Sequence, residues 1–227
     1  MSVATEEAAE AASGAACRGL HLPTVRSEAA RLAEIAARER LTHRGYLAEV
    51  LVAEVDERDS RRRARRVVEA RFPRIKRLAD FDCATSGAVT PATLASLAAG
   101  SFIDAGDPLC LIGDSGTGKS HLLIGTGVAA CEGGRRVRYV TCAGLVNELA
   151  EAADDRVLSR VVARYGRLDL LCLDEVGYVH LDPKGADLLF QVITEWEEPA
   201  SIAVASNATS SCLGAHLRRP DGGRRDA

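Results

Sequence analysis

The stretch GDSGTGKS, residues 113–120, decides the fold that this sequence predicts. An apolar run, Pro108–Ile112, leads into it, and a helix-compatible run from Lys119 to Ala130 follows. A strand, a glycine loop and a helix in this order give the pattern G-x-x-x-x-G-K-S its physical meaning. Glycines let successive backbone N–H groups approach phosphate oxygens, and the start of the helix adds partial positive charge. The stretch therefore predicts a site for a nucleoside triphosphate and Mg²⁺.

The predicted roles of the polar residues in this loop follow from phosphate chemistry. Lys119 is expected to reach the β- and γ-phosphates, and the Ser120 hydroxyl is expected to hold Mg²⁺. The predicted nucleotide-binding residues are the loop and the histidine that follows it: Gly113, Asp114, Ser115, Gly116, Thr117, Gly118, Lys119, Ser120 and His121.

A second apolar run, Leu168–Leu173, ends in Asp174-Glu175. At a strand tip beside the glycine loop, Asp174 would hold Mg²⁺ and Glu175 would polarise an attacking water. Lys119 and Asp174 are 55 positions apart, which leaves room for a further strand and helices between them. That spacing favours an additional-strand ATPase over a nucleotide kinase.

Ser206-Asn207 follows the last clear strand. We predict that Asn207 senses the γ-phosphate and positions water, which adds it to Lys119 and Glu175 as a catalytic candidate. The structural alternative is an asparagine in an ordinary turn.

Short aliphatic strands alternate with helices through the second part of the chain, which predicts an α/β fold. The predicted class is a P-loop NTPase with three layers, helices covering both faces of a mostly parallel sheet. The predicted strands are Pro108–Ile112, Val137–Thr141, Leu168–Leu173 and Ser201–Ser206, and the predicted helices lie near Lys119–Ala130, Ala143–Ala152, Arg156–Tyr165 and Gly185–Trp196.

Composition indicates a globular protein without a membrane span, and we expect a cytoplasmic location. Of the 227 residues, 47% are hydrophobic and 27% charged. No apolar stretch is long enough to span a bilayer, and the N-terminus lacks a secretion signal. The seven cysteines form no C-x-x-C pair and no Cys/His cluster, so they are expected to be reduced structural thiols.

Basic residues are concentrated before the glycine loop. The segment Arg58–Arg77 contains ten Lys or Arg and two acidic residues, although the whole chain has a net charge of −3. One interpretation is a solvated helix face, and the favoured one is contact with DNA phosphates without sequence specificity. The predicted DNA-binding residues are Arg58, Arg61, Arg62, Arg63, Arg65 and Arg66.

Several short motifs together resemble the IstB family, the ATP-binding helpers of insertion-sequence transposases. That family is similar to DnaC-type helicase loaders of the AAA+ class. The resemblance covers roughly residues 20–207 and is carried by Lys-Ser-His-Leu at 119–122, Asp-Glu-Val-Gly-Tyr at 174–178, Leu-Phe-Gln at 189–191 and Ser206-Asn207. It implies an AAA+ core that binds ATP and Mg²⁺ and forms ATP-dependent homo-oligomers on DNA. It also implies activation of a partner transposase, and it adds His121 to the nucleotide-binding set.

The chain departs from the family pattern at two places. Glu195-Trp196-Glu197 stands where family members usually carry arginine, and residues 209–227 resemble none of the family's final segments. Because a one-base shift over Ala215–Asp226 permits a family-like reading, we hypothesise a frameshifted, truncated copy that lacks the last strand. Such a copy would leave Pro108–Ile112 as a sheet edge. It would also hydrolyse ATP poorly, because a missing arginine finger costs about 10³–10⁵ in rate.

The predicted domains are a disordered tail (1–19), a helical DNA- or partner-binding domain (20–78), an ATP-binding core (79–207) and an aberrant or disordered tail (208–227). Three other functions stay open. One is a helicase loader in DNA replication. Another is a small-molecule P-loop kinase, although no arginine-rich lid is evident. The last is a degenerate remnant. It would either bind nucleotide without efficient hydrolysis, or bind only DNA or a protein partner through residues 22–77.

Overall fold

The structure is a computed structural model that describes residues 5–84, 89–177, 185, 187–189 and 200–207. The chain divides into two compact units, Met1–Arg62 and Arg63–Ala227. The predicted boundary lay at residue 78. The difference arises because Val67, Ala70 and Phe72 pack into the hydrophobic core of the second unit. The Tyr139 amide also donates a hydrogen bond to the Ala70 carbonyl.

Three helices make up most of the described chain before residue 70: α1 (Glu6–Gly19), α2 (Pro23–Glu39) and α3 (His43–Glu69), the last of which spans the division between the units. Thr42 caps α3 by accepting a hydrogen bond from the Gly45 amide at 3.1 Å. Glu54 of α3 is buried and accepts hydrogen bonds from the amides of Thr24 and Val25 at the start of α2. This carboxylate therefore satisfies orphan donors of α2 from another helix.

The expectation of a disordered tail over residues 1–19 needs correction, since α1 occupies residues 6–19. The Thr5 hydroxyl accepts a hydrogen bond from the Ala8 amide and so caps the helix. Alanine has the highest helix propensity of all residues, and the alanine-rich composition of this segment explains why it becomes helical.

The second unit is built on a parallel sheet with the order β1-β4-β3-β2. Its strands are β1 (Leu109–Ile112), β2 (Val137–Thr141), β3 (Leu170–Val176) and β4 (Ser201–Ser206). β4 pairs with both β1 and β3, so the sheet brings the strand before the glycine loop and the strand containing Asp174 to either side of β4. β1 lies at one edge of the described sheet, and Cys110 and Ile112 are exposed.

Helices cover the sheet as predicted for this fold class. They are α4 (Pro91–Ala99), α5 (Ser101–Asp104), α6 (Lys119–Glu132), α7 (Cys142–Asp154) and α8 (Leu158–Tyr165), and a 3₁₀ turn occupies Leu78–Asp80. One core cluster joins α7 and α8 to the sheet, and another joins α6 and the segment around Ala70 to it. Helix α8 starts two residues later than predicted because Arg156 adopts a left-handed φ of 59°.

Two strands match their predicted bounds, β2 and β4, while β3 is shifted. It begins two residues later than predicted and continues through Asp174-Glu175, so Asp174 lies inside the strand and not after it. The predicted helix Gly185–Trp196 lies mostly outside the described residues, and so do Glu195-Trp196-Glu197 and the segment 208–227 on which the frameshift hypothesis rests. No helix in the described ranges has the length and apolarity that crossing a membrane requires.

Candidate nucleotide-binding site

A cavity of about 480 Å³ lies where the glycine loop meets the carboxyl ends of β3 and β4. It joins most of the residues that the sequence analysis singled out for nucleotide chemistry. The residues that line it are Lys76, Ser115, Gly116, Gly118, Lys119, Ser120, His121, Asp174, Glu175, Ala205, Ser206 and Asn207. Gly113, Asp114 and Thr117 belong to the same loop without lining the cavity.

The start of the loop is held by the sheet. The Gly113 amide donates a hydrogen bond to the Ser206 carbonyl at 3.3 Å, which extends the pairing of β1 and β4 by one residue. The Thr117 hydroxyl then donates to the Asp114 carbonyl at 2.9 Å and closes the turn. Gly113, Asp114 and Thr117 therefore shape the loop from outside the cavity.

Two glycines of the loop have backbone angles that L-residues rarely adopt: φ is +83° at Gly116 and +88° at Gly118. A Cβ on Gly116 would meet no heavy atom within 4 Å, whereas a Cβ on Gly118 would lie 2.6 Å from Cε2 of Phe81. Glycine is thus required at 118 for both backbone and packing reasons. The open space beside Gly116 leaves its backbone accessible from the cavity.

Lys119 begins α6 directly after Gly118, and its ammonium donates a hydrogen bond to the Asp114 carbonyl at 2.6 Å. This contact folds the lysine side chain back along its own loop, where it lines the cavity. A phosphate in the cavity would compete for the same donor. An ammonium with three donors can contact both the loop carbonyl and a phosphate oxygen.

Asp174 is 5% exposed, and each of its carboxylate oxygens has one partner. The Tyr139 hydroxyl donates to Oδ2 at 2.8 Å, and the Glu175 amide donates to Oδ1 at 2.8 Å. Burial raises the pKa of the Tyr139 hydroxyl, and the hydrogen bond to Asp174 raises it further, so Tyr139 stays a donor. The carboxylate is thereby fixed beside the loop with lone pairs still available for a cation.

The pairing of β3 with β4 is irregular between Leu173 and Val176. Asp174 and Glu175 lie within this register shift, and their side chains have different surroundings. Glu175 has a φ of +61° and is exposed, while Asp174 and Val176 are buried. Such irregularities redirect side chains at functional sites. After the shift, the Ser206 hydroxyl donates to the Val176 carbonyl at 2.6 Å and joins the two strands again.

Asn207 follows β4 and contributes to the cavity, as its position between the two motif strands predicts. Within the described residues its buried Oδ1 atom has no hydrogen-bond partner. A buried acceptor without a donor is costly, so a donor supplied by a bound group or a water would stabilise it.

The segment before α4 closes one side of the site. The His121 Nε2 atom donates a hydrogen bond to the Arg77 carbonyl at 2.9 Å, and the His121 and Phe81 rings meet edge to face at 5.3 Å. His121 therefore positions this segment as well as lining the cavity. The same segment brings in Lys76, a second ammonium that motif analysis did not assign to the site.

The donor set suits Mg²⁺ and a triphosphate. Ser120 and Asp174 offer oxygen ligands, and the described part of the chain holds no group of three His, Cys, Asp or Glu that could ligate a metal. Mg²⁺ commonly uses one or two protein oxygens together with waters and substrate phosphates. The ammonium groups of Lys76 and Lys119 complement the negative charge of the phosphates, and the backbone amides of the glycine loop offer hydrogen-bond donors to them.

The predicted DNA-binding arginines of α3 are largely paired. Four of them contact carboxylates three or four residues away: Arg58 with Glu54, Arg61 with Glu57, Arg62 with Asp59, and Arg65 with Glu69. Arg66 donates to the Gly134 carbonyl, and Arg63 alone of the six has a side chain without an ion pair or hydrogen bond to the described residues. The pairs of Arg61, Arg62 and Arg65 are exposed, weak and able to exchange with other anions, whereas Glu54, the partner of Arg58, is buried.

A family model described as IstB-like ATP binding protein matches residues 15–218. The chain belongs to the IstB-like family. Among curated proteins, this IstB-like chain is 31% identical to a protein of Geobacillus stearothermophilus that is named as an ATP-binding protein of insertion sequence IS5376. That alignment covers 84% of the chain and 76% of the relative.

Solved structures extend the comparison to fold. The IstB-like chain superposes on AMPPCP-bound DnaA from Aquifex aeolicus with a TM-score of 0.51 and 22% identity, over 63% of the chain and 47% of DnaA. It superposes on the DnaC helicase loader with a TM-score of 0.50 and 18% identity, over 62% of the chain and 86% of the loader. The predicted α/β P-loop fold with a parallel sheet is confirmed. The chain spans about half of that DnaA structure.

Proposed function

We propose that this IstB-like protein is an ATP-binding helper of DNA transposition, which binds DNA and activates a partner transposase in an ATP-dependent manner. The observation that carries the proposal is the cavity itself. It gathers the glycine loop, Lys119, Asp174 and Asn207 from three separate parts of the chain. Family membership supports transposition as the process in which such a site acts.

Within the proposal, ATP binds with its phosphates against the loop amides of residues 115–120. Lys119 and Lys76 neutralise phosphate charge, and the Ser120 hydroxyl and the Asp174 carboxylate hold Mg²⁺. Tyr139 and the Glu175 amide keep the Asp174 carboxylate oriented for this role.

The same residues support ATP hydrolysis. Bound ATP supplies the phosphoanhydride bond, and Mg²⁺ offsets charge that develops on its oxygens. The exposed carboxylate of Glu175 orients a water and accepts its proton, while the Asn207 side chain fixes the position of that water. Lys119 stabilises the negative charge on the transferred phosphoryl group.

DNA contact is proposed for the arginines of α3, from Arg58 to Arg66. The ion pairs of Arg61, Arg62 and Arg65 are exposed, so phosphates can displace their carboxylates. The proposal further includes ATP-dependent homo-oligomers on DNA, a transposase as protein partner, and the cytoplasm as location.

DNA binding in the presence and absence of nucleotide tests the proposal. We expect the purified protein to bind a fluorescent DNA duplex more tightly with ATP and Mg²⁺ than without nucleotide. Lys119→Ala should lose this enhancement, while Arg160→Ala, on an exposed position of α8, should keep it. DNA affinity that is identical with and without ATP would contradict an ATP-dependent helper.

Activation of the partner needs a second assay. A transposase encoded beside this gene should join target DNA faster when the protein and ATP are both present. A replicative helicase that is loaded by the protein, with no effect on the transposase, would instead assign it to DNA replication.

A further inference from the structure

A second cavity of the Arg63–Ala227 unit is rich in arginine. It measures about 610 Å³ and is lined by arginines from the end of α3, the segment after it, the start of β2, and the end of α8 with the turn that follows. We call it the arginine cavity, and its arginines are Arg66, Arg71, Arg136, Arg138, Arg164 and Arg167. Glu69 is the only acidic residue in its lining.

Three of the six arginines already have partners. Arg136 pairs with Asp169 at 2.7 Å, Arg164 pairs with Glu148, and Arg66 donates to the Gly134 carbonyl. The hydrogen bond with Asp169 raises the pKa of Arg136. These contacts hold the walls of the cavity in place.

The side chains of the other three, Arg71, Arg138 and Arg167, form no ion pair or hydrogen bond with the described residues. Two nearby carboxylates already have hydrogen-bonded partners: Glu69 pairs with Arg65, and Glu148, with which Arg138 interacts through charge alone, accepts hydrogen bonds from Arg164 and Tyr165. Like charges that converge on one concave surface repel each other and raise the local concentration of anions. An anionic ligand would relieve this repulsion.

The arginine cavity is separate from the nucleotide site. It lies at the amino ends of β2 and β3, next to Val137 and Leu168, whereas the nucleotide site lies at the carboxyl ends of β3 and β4. The strands are parallel, and the seven residues of β3 span roughly 20 Å. One bound nucleotide cannot contact both ends of the sheet.

The lining favours phosphate groups of DNA over an acidic protein segment. Every cation in it is arginine, whose planar fork binds phosphate oxygens in pairs. A protein partner would need an apolar or aromatic anchor, but Val137 and Tyr165 are buried, which leaves Leu168 as the one partly exposed hydrophobic side chain of the lining. Protein–DNA interfaces are strongly positive, and six arginines against one glutamate make this lining strongly positive as well.

We propose that the arginine cavity binds the phosphodiester backbone of DNA, through Arg71, Arg138 and Arg167. This inference rests on the proposed function in that the protein binds DNA, and it adds a contact site on the ATP-binding unit to the arginines of α3. Because phosphate contacts carry no sequence information, the contact is independent of DNA sequence.

The test is the salt dependence of DNA affinity for the triple variant Arg71→Ala/Arg138→Ala/Arg167→Ala. Each lost phosphate contact lowers the slope of log Kd against log salt by about 0.9, so the triple variant should lose about 2.7. The matching Lys triple variant should retain most of the slope, and Arg160→Ala on α8 should retain all of it. Wild type and the three variants should bind a fluorescent ATP analogue with the same affinity, which verifies that all of them are folded.

Two results would overturn this inference while leaving the proposed function standing. One is an unchanged slope in the triple Ala variant alongside a reduced slope in Arg58→Ala/Arg63→Ala. The other is a triple variant that loses affinity for polyglutamate but not for DNA, which would assign the cavity to an acidic protein. If the wild-type protein binds no duplex, with or without ATP, both the inference and the proposed function fail.

Discussion

Replacing Gly118 with alanine tests how the glycine loop is built. The added Cβ would lie 2.6 Å from Cε2 of Phe81, a distance that real Cβ atoms do not tolerate. The backbone at this position also has a φ of +88°. Phe81 cannot move freely, because its ring packs against His121 and against a core cluster of Leu78, Leu97 and Leu122.

The magnitude follows from three contributions to the free energy of unfolding. A left-handed L-residue costs about 1–2 kcal/mol. Alanine recovers about 0.4–1 kcal/mol by restricting the unfolded chain. The overpacked contact with Phe81 adds about 1–3 kcal/mol. We therefore expect Gly118→Ala to lower the free energy of unfolding by about 2–4 kcal/mol.

Gly116→Ala is the matched control. Its φ of +83° is nearly the same, but its Cβ would meet no heavy atom within 4 Å. It should lose only the backbone contribution, about 1 kcal/mol. The assay is urea denaturation of both variants without nucleotide, with Phe81→Ala and the double variant completing a cycle.

In the Phe81→Ala background, the cost of Gly118→Ala should fall to that of Gly116→Ala. Equal losses for Gly116→Ala and Gly118→Ala in the wild-type background would refute the close approach of Phe81 to the loop. An undiminished cost of Gly118→Ala after removal of the ring would do the same.

Three further predictions concern single side chains. Tyr139→Phe removes the donor to buried Asp174 and should lower the free energy of unfolding by about 1.5–3 kcal/mol. The control Tyr46→Phe removes a donor to a neutral carbonyl and should cost only about 0.5–1.5 kcal/mol. Equal losses in urea denaturation would refute a charged hydrogen bond between Tyr139 and Asp174. Burial raises the pKa of Glu54, but hydrogen bonds from Arg58, Val25 and Thr24 outweigh burial and leave it below its ordinary value. Since the unfolded chain then takes up the proton first, stability should decline as pH falls from about 4.3 through the folded-state pKa, and Glu54→Gln should flatten that decline in acid titrations; an unaltered profile would contradict the assignment. Lys76→Ala should weaken ATP binding about two- to fivefold in calorimetry, whereas Arg74→Ala, outside the cavity, should not.

The parts of the fold that depend on local pattern were predictable. The strand, glycine loop and helix around residues 109–132 follow from apolar runs and two glycines, and β2 and β4 match their predicted bounds. The convergence of Lys119, Asp174 and Asn207 was predictable because carboxyl ends of neighbouring parallel strands meet at one edge.

The contacts that complete the site were not predictable, because they join distant residues without a motif. Lys76 reaches the cavity through packing of the segment before α4, and Tyr139 reaches Asp174 from another strand. The register shift that exposes Glu175 depends on pairing of β3 with β4 and leaves no pattern in the sequence.

The basic block shows a different limit of sequence reasoning. Counting charges from Arg58 onward omits Glu54 and Glu57, which lie just before that window. On a helix these residues face arginines four positions later, and the structure pairs them with Arg58 and Arg61. Helical spacing, applied across the edge of the window, predicts both pairs.

The central claim is that the glycine loop, Lys119 and Asp174 together bind ATP with Mg²⁺. The most direct test is calorimetric ATP binding with Mg²⁺ and with EDTA. Wild type should bind ATP more tightly with Mg²⁺ than with EDTA. Asp174→Asn should match the wild-type affinity in EDTA but gain no affinity from Mg²⁺. Lys119→Ala should bind ATP weakly under both conditions. Full Mg²⁺ enhancement in Asp174→Asn, or wild-type affinity in Lys119→Ala, would contradict the claim.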